Sequence, residues 1–572
     1  MKKLIGLLLT FAMLLSLCVP ALATESHSIT CEEFPLNIGG VEGSDKVKLY
    51  FLDGVTDLPW LEMHDVCELL TLSIGKMIVP FTMDIQGPIV TITRNHEGKV
   101  DDGCTAIFDF DKSEIRFVDF NVFTMGPNAS TILDMTSLSF VNEAGEPALI
   151  QKVDRGTFDR YGESVTLPLA DYGIELVYQP IEGGLYLIPV QTVNDIFLAG
   201  HSGHLYYNGQ KLIAAEKIQP GDEIYYAAPT GERSEALTKF GYGELCLMLD
   251  YRYGLKPVHD IKSFDQLFHE NGFDAILKGP EVKQADGAIY RLITDYLDDG
   301  HSAWHAFSYL TGDLDYKAPK GPSEARWSEQ YALYTGARAK FFPDGVPGYQ
   351  EIGNTAYITF DKFDFDGEQT GEDWYRVEDP EDFSDIDTIG LIIKAHAMIT
   401  RENSPIENVV LDLSCNQGGA VDTAVFVIAW FLGEANLGIK DTMTGAVCAS
   451  TYRCDANRDR VFDERDTVED KNLFVLTSPV GFSCGNLVPC AFKESGKVTV
   501  MGRTSGGGSC VVLGTSSAWG TSFQISGAQR ISFIKNGSYY DVDRGAEPDI
   551  VITNPEKFYD RQALTDFINS IY

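Results

Sequence analysis

Positive charge is scarce in this chain: 45 Lys and Arg stand against 83 Asp and Glu, a formal net charge of −38 over 572 residues. Such a surface repels nucleic acid and anionic membranes, which makes both poor candidate partners. Long apolar runs are missing after residue 23, so no membrane span is expected. The eleven cysteines contain no Cys-x-x-Cys pair and no Cys/His spacing of the zinc kind. Wholesale disorder is excluded as well, because 44% of the residues are hydrophobic and only 22% are charged. At about 100–200 residues per domain, the length favours several domains.

What is present begins with an address. Lys2 and Lys3 precede an apolar run over residues 4–19, and Ala21-Leu22-Ala23 is a small-x-small cleavage site. Residues 1–23 therefore read as a signal peptide, Thr24 as the mature N-terminus, and the protein as secreted or extracytoplasmic. Leu17 is too large for the position before a lipid-bearing Cys18. Export permits disulfides, whereas a chain this large does not need them, so the thiol state stays open. Nothing in the sequence specifies an oligomer.

Three regions follow. Residues 24–200 form a β-rich accessory region, with alternating runs at 47–52, 89–93, 106–110 and 185–189 and a helical stretch at 61–72. Residues 201–345 form a helical and linker region, with helical spacing at 235–249, 263–270 and 282–297 and a long loop over 311–350. Residues 346–572 alternate: strands at 356–360, 409–413, 473–477 and 498–501, helices at 384–400, 420–432 and 484–495. Such alternation predicts an α/β layer fold with crossover connections.

Two segments of the last region carry candidate chemistry. In the first, the strand Val409-Val410-Leu411 runs through Asp412, Asn416 and the Gly418-Gly419 pair into a helix. Glycines there make a tight turn, or let backbone N–H groups face a cavity as an oxyanion site requires. In the second, the strand 473–477 runs through Gly481 to Ser483 and Cys484, where a helix begins. A Ser at that point either caps the helix or presents a nucleophilic hydroxyl at its positive end. Cys484 is the alternative nucleophile.

Together the two segments resemble peptidase family S41, the C-terminal-processing and tricorn-like serine proteases. That family has Asp-x-Arg-x-Asn-x-Gly-Gly after one strand, a Ser-containing turn after the next, and then Val-x-Gly-x-x-Thr-x-Gly-x-Gly. Here Asp412 to Gly419 follows the first pattern with Ser414 in place of Arg, and Val500 to Gly508 follows the last. The resemblance spans roughly 290–560 and implies an S41-type, ClpP/crotonase-like α/β catalytic core. It implies Ser483 as nucleophile and the backbone amides of Gly418, Gly419 and Cys484 as the oxyanion hole. The processing branch uses a Lys base, but its slot holds Gly507. The tricorn-like branch uses a His in an Asp-x-His-[Ser/Thr] segment, resembled by Asp299-Gly300-His301-Ser302, so His301 is the implied base, with His305 a reserve. That branch carries a Ser beside its His where this chain has Gly300. Its orienting Glu would fall at Val542, so Asp543, or else Asp541, is the implied third member.

The sequence thus points to a secreted serine endopeptidase acting on proteins or peptides, with no required cofactor. A catalytically inactive S41-fold binding protein, or a surface adhesin or scaffold, is the alternative. Separately, Asp455, Asn457, Asp459, Asp463 and Asp466, with the Val461 carbonyl, have the spacing of a calcium loop, although Arg460 replaces its usual Gly. Calcium is therefore a possible ligand of that loop.

Overall fold

The computed structural model describes residues 27–38, 46–73, 81–94, 104–125, 149–153, 157–160, 162–181, 183–199, 204–314, 321–364, 371–383 and 387–571. The expected signal peptide lies outside them.

The C-terminal half is built on a six-stranded sheet. Its strands are β1 (Tyr349–Ile352), β2 (Thr355–Thr359), β3 (Asn408–Asp412), β4 (Asn472–Thr477), β5 (Val498–Gly502) and β6 (Ile550–Val551). They lie side by side in that order. β1 is antiparallel to β2, and β2 to β6 are parallel. Both faces are covered, which is why the strands read as continuous apolar runs. Val409 and Leu411 pack into one core with Leu473, Val475 and Val500, and Val410 packs on the other face with Phe474, Leu476 and Met501.

Among the helices that accompany this sheet are α1 (Pro322–Phe341), α2 (Thr388–Thr400), α3 (Val421–Leu432), α4 (Cys484–Ser495) and α5 (Arg561–Asn569). The expected helices 420–432 and 484–495 match α3 and α4 closely. α2 starts at Thr388 because the Asp387 carboxylate accepts the Ile389 amide at 3.0 Å and caps it. The expected long loop over 311–350 is corrected, since it contains the 20-residue helix α1. Pro322 occupies its first turn, where a missing N–H is harmless. The helix escaped detection because only Tyr334 and Ala337 are fully buried on it, so it has almost no apolar stripe.

A second, antiparallel sheet runs 303–306, 522–532, 435–441, 447–454 and 150–152, with 510–516 paired to 522–532 and 157–160 paired to 447–454. Two strands from the first third of the chain thus complete a sheet of the C-terminal half. The rest of the N-terminal region forms one seven-stranded and one five-stranded sheet, reaching residue 214 rather than 200. Its core is shared: Phe108, Phe197, Leu245, Ile289, Phe523 and Ile525 belong to one buried cluster. Among the described residues no helix is long and apolar enough to cross a membrane.

Candidate active site

β3 and β4 are neighbours, and both candidate turns leave their C-terminal ends, where open parallel sheets form their ligand crevices. Between β4 and α4 the chain folds sharply. The Gly481 amide donates to Ser478 O at 2.9 Å, and the Gly506 amide donates to Gly481 O at 2.6 Å. Ser483 then adopts φ 55°, ψ −125°, a region that residues with a Cβ rarely occupy. Its amide donates to Gly507 O at 3.0 Å, and its carbonyl accepts from Asn486 and Leu487. Its hydroxyl does not cap α4, which removes the capping role as the reason for a Ser here. The side chain is half-buried.

The glycines around Ser483 are required by close approach. A Cβ on Gly485 would lie 2.5 Å from Asn416 O, and one on Gly481 would lie 3.0 Å from Gly485 O. Gly481-Phe482-Ser483-Cys484-Gly485 has the Gly-x-Ser-x-Gly pattern of a nucleophile elbow, a signal that the sequence carried and that its reading passed over. The Gly418-Gly419 turn lies against it: a Cβ on Gly418 would come within 2.7 Å of Ser483 Cβ. Gly418 and Gly419 have φ of 101° and 136°, open to glycine alone at no cost.

The three amides expected to form the oxyanion hole differ. Gly418 N–H is committed to Asn416 Oδ1 at 2.9 Å. Among the described residues no acceptor pairs with the amides of Gly419 or Cys484. Asn416, whose Nδ2 also donates to Phe360 O at 3.1 Å, holds this turn in shape, a role the sequence reading missed. Cys484 is a poor nucleophile: its thiol is buried, donates to Gly419 O at 3.2 Å, and burial pushes its pKa up to about 12.

His301 arrives from the second sheet. Asp298, at φ 38°, ends the preceding helical turn. Asp299 then fastens the loop, accepting from the amides of His301 and Ser302 and from the hydroxyls of Ser302, Ser526 and Tyr253. The His301 carbonyl accepts from Gln524 Nε2 at 2.7 Å, and 303–306 continues as a strand on 522–532. His301 is 9% exposed. Burial lowers its pKa below the ordinary 6.5, partly offset by the charges of Asp299 and Asp543. Its ring packs on Phe482, centroids 4.7 Å apart and planes at 57°. Among the described residues the ring nitrogens of His301 make no hydrogen bond, to Ser483 or to a carboxylate. His305 is turned elsewhere, with Nε2 on Gln524 Oε1 at 3.1 Å.

Asp543 accepts from the Ser509 amide at 2.6 Å and the Ser509 hydroxyl at 3.0 Å, and it forms an ion pair with Arg530. Asp541 accepts from the same guanidinium at 3.0 Å. Arg530 therefore engages both carboxylates. Asp543 acts on His301 through its charge, not through a hydrogen bond. The Asp412 carboxylate at the end of β3 pairs with Arg561 Nη2 at 2.6 Å, both groups being buried. Arg561 belongs to α5, so a guanidinium reaches Asp412 from far along the chain.

The acidic loop is knitted to itself. Asp455 accepts from Tyr375 OH and from the amides of Asp459 and Arg460, Asp466 from the amides of Asn457 and Asp463, and Asp459 from the Val461 amide. Burial pushes the pKa of Asp466 up to about 7. Among the described residues no three His, Cys, Asp or Glu side chains are grouped as metal ligands.

Residues 355–552, which hold both turns, match the family model of Peptidase family S41. No curated protein matches the chain. Among solved structures, the photosystem II D1 C-terminal processing protease is 17% identical over 35% of this chain and 43% of its own length, with a TM-score of 0.26. This chain therefore covers less than half of that protein. A lipoprotein from Streptococcus agalactiae is 13% identical over 59% of this chain and 96% of its own (TM-score 0.34), and the tricorn protease is 10% identical over 95% and 58% (TM-score 0.31). The chain is thus similar to peptidase family S41 over residues 355–552, about a third of its length.

Proposed function

We propose that the protein is a secreted serine endopeptidase that cleaves protein or peptide substrates through an acyl-enzyme on Ser483. The observation that carries this reading is the elbow: a strained Ser at a strand-to-helix turn, with the amides of Gly419 and Cys484 open beside it. Ser483 Oγ attacks the scissile carbonyl. Its proton passes to His301, which returns it to the leaving amine. The developing oxyanion is received by the Gly419 and Cys484 amides, each donor lowering the barrier by about 3–4 kcal/mol. The Ser–His hydrogen bond would close when substrate fills the crevice, as apo sites are commonly loose. No step calls for a cofactor. The export signal at residues 1–23 supports an extracytoplasmic site of action.

Because burial keeps His301 neutral to below pH 6.5, kcat/KM should rise with pH on an acidic limb and reach its plateau by neutrality. Ser483→Ala should abolish peptide hydrolysis and fluorophosphonate labelling, at a cost of about 10⁶ in kcat. His301→Ala should lose hydrolysis, and Cys484→Ala should keep both activities. Wild-type protein that neither labels nor hydrolyses would replace the reading with an inactive binding or scaffold protein. Loss in Cys484→Ala alone would make it a cysteine peptidase.

A further inference from the structure

We infer that Phe482 is a positioning residue that holds the imidazole of His301 in place, doing by packing what a hydrogen-bonding carboxylate does in a Ser-His-Asp unit. The inference rests on the peptidase reading above. Its first ground is the contact itself, with ring centroids 4.7 Å apart. The second is the absence of a competing tether. Asp299 is occupied by five donors from the backbone and hydroxyls, and Asp543 is held by Arg530 and Ser509. With no hydrogen bond at its nitrogens among the described residues, the imidazole's rotation about its side-chain bonds is limited by what it touches.

The third ground is the seat built for the Phe482 ring. A Cβ on Gly300 would lie 2.5 Å from Phe482 Cζ, and a Cβ on Gly508 would lie equally close. At such distances the Phe482 ring must shift to admit a side chain at 300. This accounts for Gly300 standing beside the His where the resembled branch has Ser. The ring is also tied to the nucleophile. Phe482 is the residue before Ser483, and its carbonyl accepts the Gly485 amide at 2.9 Å. One rigid turn thereby presents the attacking hydroxyl and braces the base that serves it. Burial of His301, the main cause of its lowered pKa, is consistent with this packing.

The test uses the full chain. Phe482→Ala should slow both fluorophosphonate labelling and kcat by about 10- to 100-fold, the scale of a misplaced catalytic group, with little change in KM. Its acidic limb should move up toward the ordinary ~6.5 as the imidazole gains solvent. Phe482→Leu, which refills the seat, should restore most of the rate. Gly300→Ala leaves Phe482 in place but displaces its ring, so it should reproduce the defect, and it should add nothing in the Phe482→Ala background. In unmodified protein labelled with ¹³C-histidine, the ring should shift the His301 carbon-bound protons upfield, and Phe482→Leu should remove that shift.

Wild-type labelling with unchanged rate and pH limb in folded Phe482→Ala would overturn the inference and leave the peptidase reading standing. Additive losses from Gly300→Ala and Phe482→Ala, or no upfield shift in the wild type, would also overturn it. Wild-type protein that does not label would instead remove the peptidase reading on which it rests.

Discussion

If the elbow at Ser483 is strained, replacing its side chain should separate stability from activity in a particular order. At φ 55°, ψ −125° a residue with a Cβ is held against its preference at about 1–3 kcal/mol. Ser483→Ala keeps the Cβ and so keeps the strain. Its hydroxyl caps nothing, so stability should stay within about 0.5 kcal/mol of wild type. Ser483→Gly releases the strain but frees the unfolded chain, at about 0.5–1 kcal/mol relative to Ala. The half-buried position leaves little cavity behind. The balance predicts that the Gly variant is more stable than the Ala variant by about 1 kcal/mol, both being inactive. Urea unfolding of the full chain, followed by circular dichroism and by fluorescence, measures this and checks whether the transition is cooperative. A Gly variant equal to or weaker than the Ala variant would refute the reasoning, because it would show that the turn is not held under strain.

Two further outcomes test the frame around the site. Arg561→Ala leaves the buried Asp412 carboxylate without its counter-ion and should cost about 3–5 kcal/mol in urea unfolding; a loss under about 1 kcal/mol would mean that the pair does not anchor α5. His396 accepts from Trp430 Nε1 at 3.1 Å, and burial lowers its pKa to about 4. A folded pKa below the ordinary 6.5 gives stability that is complete above 6.5 and lost as pH falls toward 4, at up to about 1.4 kcal/mol per pH unit. His396→Gln should remove that component, and stability curves for the two proteins that run parallel from pH 7 to 4 would refute it.

The parallel core was legible because its determinants are local. Runs such as Val409-Val410-Leu411 are apolar on both faces, and such strands were placed to within a residue or two. The same locality exposed Ser483 and the Gly418-Gly419 turn, since strand, turn and helix follow one another in sequence. What stayed hidden depends on partners distant along the chain. No pattern near Asp412 announces Arg561, nor does any near Asp543 announce that Arg530 will engage it. The strands 150–152 and 157–160 could not be assigned to the second sheet from their own residues, because their partner is 447–454. The acidic loop shows the converse. Its oxygens have the spacing of a cation site, yet the left-handed Arg458 and Arg460 belong to a loop whose amides reach those oxygens instead.

The proposed nucleophile and base reach the site by different kinds of structure. Ser483 is fixed by a short turn braced by Gly506, Gly507 and the 416–418 turn, and the cost of that geometry is local strain. His301 is fixed through a sheet. Its strand pairs with 522–532, which pairs with 435–441; that strand in turn pairs with 447–454, whose edge takes 150–152 from the N-terminal region. The separation of base and nucleophile is therefore set by how two sheets pack, and sub-ångström changes there matter to proton transfer far more than to stability. A contact that spans the two sheets would make the separation less sensitive to that packing. Phe482 is so placed: it is covalently part of the elbow, and its ring lies on the imidazole carried by the other sheet. On this view the glycines at 300 and 508 are not loop filler. They are the space that lets one residue of the nucleophile turn reach across to the base.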